Sequence, residues 1–436
     1  MGVWEMPKNQ STNSNRGVSE RNLKAFVFVL FFVFGGITSL NDVIIPKLKE
    51  LFTLSYAQAL LVQSAFFLAY FLVSMPAAVI VRRVGYMKAA AIGVCTMAIG
   101  CLIFVPASSS GAFGVFLLAL FVLAAGITTV QVVANPLISL LGPPATAHSR
   151  LTFAQAFNSL GTTIFPYIGS ALILGSLVTT KAASLVGAAL YEYRRQATQV
   201  VVHTYLGLAA ILTVLGLTIW AHRRGLTETP GRMRVSDAVE LLHRPRFGLG
   251  ALCIFLYVGA EVAIGSLIVN FLMQSSTMGL GPEEAGKHVP FYWGGALVGR
   301  FIGASVLRVV SPGAVLTAVA AGAIALITAS INTGGPVSGW CLLAVGLCNS
   351  VMFPTIFSLA SEGLGTHAAE GSGMICVAIV GGAVVPPLTG HLADISGLRF
   401  SLLLPALCYL VIAGFGIYAR HPASRSVEQS ARGPRS

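Results

Sequence analysis

Charge is what this chain has least of. Only 10% of its 436 residues are Asp, Glu, Lys or Arg, whereas a soluble globular protein carries about 25%. With 55% hydrophobic residues and a mean hydropathy of +0.81, most of the exterior is expected to face lipid. Other absences narrow the class further. The seven cysteines form no C-x-x-C pair and fall inside apolar runs, so they read as small buried hydrophobes, not disulfides or metal ligands. There is no G-x-S-x-G elbow, no H-E-x-x-H pair and no G-x-x-x-x-G-K-[ST] phosphate loop. An enzyme, a cofactor protein and a nucleotide-driven pump are therefore not expected. The formal net charge of +12 does not point to nucleic acid, because the basic residues sit in short loops between apolar runs.

What is present is a succession of runs near the length needed to cross a bilayer, about 20 helical residues for about 30 Å of hydrocarbon. They predict twelve spans near 25–45, 57–81, 88–106, 112–140, 151–175, 199–221, 247–273, 287–310, 313–331, 336–361, 370–394 and 398–419. Placing both termini in the cytoplasm puts 20 of the 27 Lys and Arg on that side, the bias of a multi-pass plasma-membrane protein. Residues 1–24 then form a cytoplasmic tail whose following apolar run is retained as the first span. Residues 222–246 form a basic cytoplasmic linker suited to anionic headgroups. The linker separates six-helix bundles at 25–221 and 247–419, and 420–436 is a second cytoplasmic tail.

The two halves read as weak repeats. Asn135-Pro136 in the fourth span matches Phe353-Pro354 in the tenth, and Gly161 precedes Pro166 by the same offset as Gly381 precedes Pro386. Duplicated, proline-interrupted halves point to a rocking secondary transporter, although Gly and Pro are common in membrane helices generally.

A charged side chain at mid-bilayer costs about 2.5–3.5 kcal/mol, so the few inside apolar runs call for a reason. Among carboxylates these are Asp42, ending the first span, and Glu261 in the seventh. Either can exchange a proton or hold Na⁺, or make a structural hydrogen bond; Glu261 can instead accept from solute hydroxyls. Amides form a second set: Gln131 and Asn135 share a helix face, as do Gln155 and Asn158, with Gln63 and Asn349 in other spans. They suit a polyhydroxylated solute, and equally serve as glue between helices. Among aromatics, Tyr257 lies one turn before Glu261; Phe291, Tyr292, Trp293 and Phe353 are stacking candidates or interface anchors. Arg82, Arg83, Gly85 and Lys88 follow the second span without an acidic partner; Arg82 either gates the cytoplasmic side or simply obeys charge bias, the preferred account.

Leu40-Asn41-Asp42, Gln63-Ser64-Ala65-Phe66, Ala134-Asn135-Pro136, Ala154-Gln155-Ala156-Phe157-Asn158, Tyr257-Val258-Gly259-Ala260-Glu261, Gly299-Arg300-Phe301 and Phe353-Pro354-Thr355 occur in order. Together they resemble the fucose permease family of the major facilitator superfamily over nearly the whole chain. The resemblance implies an all-α membrane protein with the major facilitator fold, two pseudo-symmetric six-helix bundles around a midplane cavity. It implies a monomer in a bacterial inner membrane that imports a monosaccharide with H⁺ or Na⁺, Asp42 being the coupling carboxylate. Fucose permease carries a second carboxylate in the fourth span where this chain has Gln131. That residue, with Glu261, looks more like the glucose/galactose transporter branch. L-fucose or N-acetylglucosamine symport, passive facilitation and a non-transporting sugar sensor are the competing readings.

Overall fold

The structure, a computed structural model, describes residues 23–40, 56–110, 112–169, 187–221 and 235–420. No strand occurs among them. A backbone in hydrocarbon has no water to satisfy its N–H and C=O groups, so apolar runs satisfy them internally as helices. The first half holds α1 (Leu23–Leu40), α2 (Tyr56–Val84), α3 (Tyr86–Ser110), α4 (Phe113–Leu140), α5 (Ala147–Gly169) and α6 (Ala188–Ala221). A short α7 (Val235–Leu241) precedes the second half, which begins with α8 (Pro245–Met273), α9 (Pro282–Val306) and α10 (Pro312–Asn332). Its last three spans are each interrupted: α11 (Gly335–Asn349) with α12 (Met352–Ala360), α13 (Ala368–Ala378) with α14 (Gly381–Ser396), and α15 (Leu398–Ser401) with α16 (Leu403–Tyr418).

Ten of these stretches are long and apolar enough to cross a membrane, counting each interrupted pair once. The two that fall short, α5 and α9, bring the count to the twelve expected from the sequence. They are the more polar ones because they carry Gln155, Asn158 and Arg300. Local chemistry sets several boundaries. Pro245, Pro282 and Pro312 open α8, α9 and α10, where a missing N–H costs no helix bond. Gly85, at φ 87°, makes the one-residue turn between α2 and α3, a conformation other residues adopt only with strain.

The repeat reappears as matching contacts. Gly161 of α5 packs its bare Cα against the Phe32 carbonyl of α1, and Gly381 of α14 does the same against the Phe255 carbonyl of α8. A methyl group at either position would collide with backbone, so small residues set these close helix approaches.

The two motif prolines also have matching effects. Proline removes the hydrogen bond to the carbonyl four residues earlier. Pro136 thereby frees the Val132 carbonyl, which accepts a bond from Ser372 Oγ of the other half at 2.9 Å. Pro354 frees the Ser350 carbonyl, which accepts from Arg300 Nε at 3.1 Å. Each liberated acceptor is thus used by another helix.

The halves meet through α2 and α4 against α13, and α5 against α9 and α12. One end of this seam is closed by polar links. Arg82 Nε at the end of α2 lies 2.9 Å from Glu370 Oε1 at the start of α13, an ion pair without hydrogen-bond alignment. Arg82 therefore does have an acidic partner, contrary to the sequence reading; it comes from the far half of the chain, and Glu370 is only 2% exposed. His148 Nε2 lies 3.1 Å from Glu362 Oε1, and Arg246 holds the other oxygen of Glu362. Ser149 Oγ donates to the Ala304 carbonyl at 2.6 Å.

Candidate functional site

At the seam lies a cavity of ≈ 160 Å³ to which both halves contribute. Thr38 of α1, Tyr70 of α2, Gln131 of α4, and Gln155, Asn158 and Thr162 of α5 form one wall. Tyr257 and Glu261 of α8, Arg300 of α9 and Phe353 of α12 form the other. Of the residues singled out from the sequence, Gln131, Gln155, Asn158, Tyr257, Glu261 and Phe353 therefore meet here.

Each polar group on the wall is oriented by a bond made behind it. Tyr70 donates its phenolic proton to Gln131 Oε1 at 2.8 Å, leaving the amide nitrogen for the cavity. Gln155 Nε2 donates weakly to Asn135 Oδ1 at 3.4 Å, and Asn158 Nδ2 to the Phe31 carbonyl at 3.3 Å. Both amides therefore turn oxygen toward the cavity. The Tyr257 hydroxyl lies 2.8 Å from Glu261 Oε1, which leaves the second carboxylate oxygen open. Arg300 reaches across the seam from α9: Nη1 donates to the Gln155 carbonyl at 3.2 Å and to Ser159 Oγ. The cavity thus offers donors from Gln131 and Arg300, and acceptors from Gln155, Asn158 and Glu261.

Asn135 and Asn349 do not line it. Both are fully buried one layer back. Asn135 steadies Gln155, whereas Asn349 sits in a cluster of tyrosines. Its Nδ2 donates to Tyr292 Oη and its Oδ1 accepts from Tyr409 Oη, both at 2.7 Å. Its backbone carbonyl lies 3.1 Å from the Tyr257 hydroxyl. Here the amides are the inter-helix glue that was the alternative reading. Asp42 lies outside the described residues, as does the side chain of Gln63. Of the aromatics, Phe353 joins Tyr257 at the cavity, and Tyr292 is buried behind it. Phe291 and Trp293, 56% and 42% exposed, face outward as interface anchors do.

Sequence reasoning missed Tyr70, Thr38, Thr162 and Arg300 as lining residues. A cation between Gly299 and Phe301 in an apolar run was the available signal for Arg300. For Tyr70 it was a lone phenol amid the second span.

A pocket with polar groups from both halves, at the seam of two duplicated helical halves, is the architecture of a secondary transporter. The model of the Major Facilitator Superfamily matches residues 27–378, and the chain belongs to that superfamily. It is 45% identical over 391 residues to a glucose/galactose transporter of Brucella abortus biovar 1 (strain 9-941), covering 89% of this chain and 92% of the relative. It is 32% identical over 417 residues to the L-fucose-proton symporter of Escherichia coli (strain K12), covering 92% and 93%. Among solved structures, FucP, a Major Facilitator Superfamily transporter in the outward conformation, superposes with a TM-score of 0.84 at 30% identity. That match covers 93% of this chain and 100% of FucP.

Proposed function

We propose that this chain imports a monosaccharide, glucose or galactose, by symport with a cation, exposing one cavity to each side of the membrane in turn. The observation that carries this reading is the cavity wall, with amide, guanidinium and carboxylate groups from both halves converging on one small space. A sugar hydroxyl both donates and accepts, so a wall of mixed polarity suits a polyol better than an apolar drug. Glucose or galactose is preferred to fucose because identity is 45% to the relative named for the former and 32% to the one named for the latter.

The proton is the preferred cation. The Tyr257 hydroxyl has two acceptors in range, Glu261 Oε1 at 2.8 Å and the Asn349 carbonyl at 3.1 Å. With Glu261 ionised, the phenol donates to it. With Glu261 protonated, the carboxyl donates to the phenol oxygen and the phenol turns its proton to Asn349. Both protonation states are satisfied without moving a heavy atom. The Arg300 guanidinium on the same cavity disfavours a metal cation there by like-charge repulsion. Asp42 as principal coupling carboxylate and Gln63 as a cavity residue rest on sequence and resemblance.

The remaining proposals follow from charge and resemblance: a monomer in lipid, a bacterial inner membrane, bundles at 25–221 and 247–419 joined by the 222–246 linker, and both termini cytoplasmic. In that orientation the closed end of the seam faces the cytoplasm. The test is uptake of labelled hexoses into proteoliposomes with H⁺ and Na⁺ gradients imposed separately. Uptake concentrated by the H⁺ gradient is expected. Uptake indifferent to both gradients would make the protein a facilitator, and binding without uptake would make it a sensor.

A further inference from the structure

Gln131 is a side chain that can be presented two ways round. Rotating its amide by half a turn exchanges an acceptor for two donors at nearly the same place. What meets a solute therefore depends on what fixes the amide. In this protein that is Tyr70. Its phenol, 6% exposed, donates to Gln131 Oε1 at 2.8 Å, and Gln131 is itself only 7% exposed. A turned amide would bring its own N–H₂ against the phenol and leave the phenolic proton without that acceptor. An unsatisfied buried donor is more costly than a lost exposed hydrogen bond, so the observed orientation is the favoured one. Gln131 then faces the cavity with donors alone. The same cavity offers acceptors elsewhere: the oxygens of Gln155 and Asn158 on its own wall and the free oxygen of Glu261 on the other.

We infer that Tyr70 determines sugar specificity by holding Gln131 as an obligate donor, so that one position of the sugar ring is recognised by its acceptor lone pairs. This rests on the sugar-transport reading and adds to it the polarity of one contact and the residue that sets it. Although Tyr70 also lines the wall, its part in this selection is as a positioning residue, acting through Gln131.

The inference makes a chemical distinction that a merely structural tyrosine would not. Replacing a sugar hydroxyl by hydrogen removes both donor and acceptor, whereas replacing it by fluorine keeps an acceptor and removes only the donor. At the ring position facing Gln131, a fluoro sugar should be tolerated where the deoxy sugar is not. At positions facing Gln155, Asn158 or Glu261, the two should be rejected alike.

The experiment is inhibition of labelled-hexose uptake in proteoliposomes by panels of monodeoxy and monodeoxyfluoro glucose and galactose. It is run on the wild type, Tyr70→Phe, Gln131→Leu and the double variant. The wild type is expected to show one ring position where the fluoro sugar competes about five-fold better than the deoxy sugar, the worth of one net hydrogen bond. In Tyr70→Phe that ratio is expected to fall toward one, a result read independently of any change in the overall rate of uptake. In the Gln131→Leu background, Tyr70→Phe is expected to change the ratio no further. Gln131→Glu, which puts an acceptor at the same place with Tyr70 intact, is a second variant expected to abolish the preference. A wild type that discriminates hexoses but gives Tyr70→Phe the same ratios overturns the inference alone, as does an equal effect of Tyr70→Phe with and without Gln131. A wild type that recognises no hexose overturns the sugar reading and the inference with it.

Discussion

The hydroxyl of Tyr257 and the carboxylate of Glu261, one helical turn apart on α8, lie 2.8 Å from each other at the wall of the cavity. Neither is isolated, since the phenol is also 3.1 Å from the Asn349 carbonyl, and the Asn349 side chain is clasped by Tyr292 and Tyr409. The carboxylate is thus held by a rigid polar cluster and not by a single neighbour.

Tyr257→Phe should leave Glu261 in place but without its donor. One charge-assisted hydrogen bond is worth about 1.5–3 kcal/mol, so gradient-driven uptake is expected to fall by about ten-fold or more. Sugar exchange across vesicles without a gradient should fall much less. Comparing the two rates in one preparation checks this; equal losses would mean that the phenol serves binding and not coupling.

Glu261→Gln keeps the size and an acceptor but removes the titration. Exchange is expected to persist and to lose its pH dependence, while accumulation against a gradient is lost. If accumulation survives, the coupling proton is carried elsewhere, and Asp42 is the remaining candidate.

Asp42→Asn is expected to abolish accumulation and to spare exchange. Concentrative uptake by this variant would remove Asp42 from the coupling scheme, whatever the outcome at Glu261.

Glu370→Gln should loosen the closed end of the seam, since it leaves Arg82 facing a neutral partner. Arg82→Glu combined with Glu370→Arg should restore closure. The measurement is labelling of a cysteine introduced in place of Thr152, which is buried beside Gly303 of α9 at the seam. Faster labelling in the single variant, reversed in the charge-swapped one, is expected. Unchanged labelling in both would assign closure to the links of His148 and Ser149 instead.

Much of this was legible in the sequence because membranes permit so few solutions. Apolar runs of sufficient length dictate helices, and their boundaries agree with the structure to within several residues for most spans. Polar residues amid those runs had to be doing something, which singled out Gln131, Gln155, Asn158 and Glu261. What could not be read was the rotation of each helix about its axis. Asn135 and Gln131 share a face of α4, yet one turn separates a residue at the cavity from one wholly behind it. Arg300 lies inside the apolar run near 287–310, but only the rotation of α9 shows that its guanidinium meets the cavity. The Arg82–Glu370 pair joins residues of opposite halves, and no local pattern announces such a partner.

The carbonyls set free by Pro136 and Pro354 have one further implication. A protein that alternates between two packings must form and dissolve its seam repeatedly, and a carbonyl already bonded within its own helix has only its second lone pair to offer a partner across the seam. At Val132 the acceptor is available without unwinding a turn, because the helix has already forgone that bond. When Ser372 withdraws, water entering the opened crevice can take its place at little net free-energy change. The proline thus turns one rung of a ladder into a reusable latch, and Pro136→Ala, by restoring the rung, would weaken the latch by making one carbonyl serve two donors.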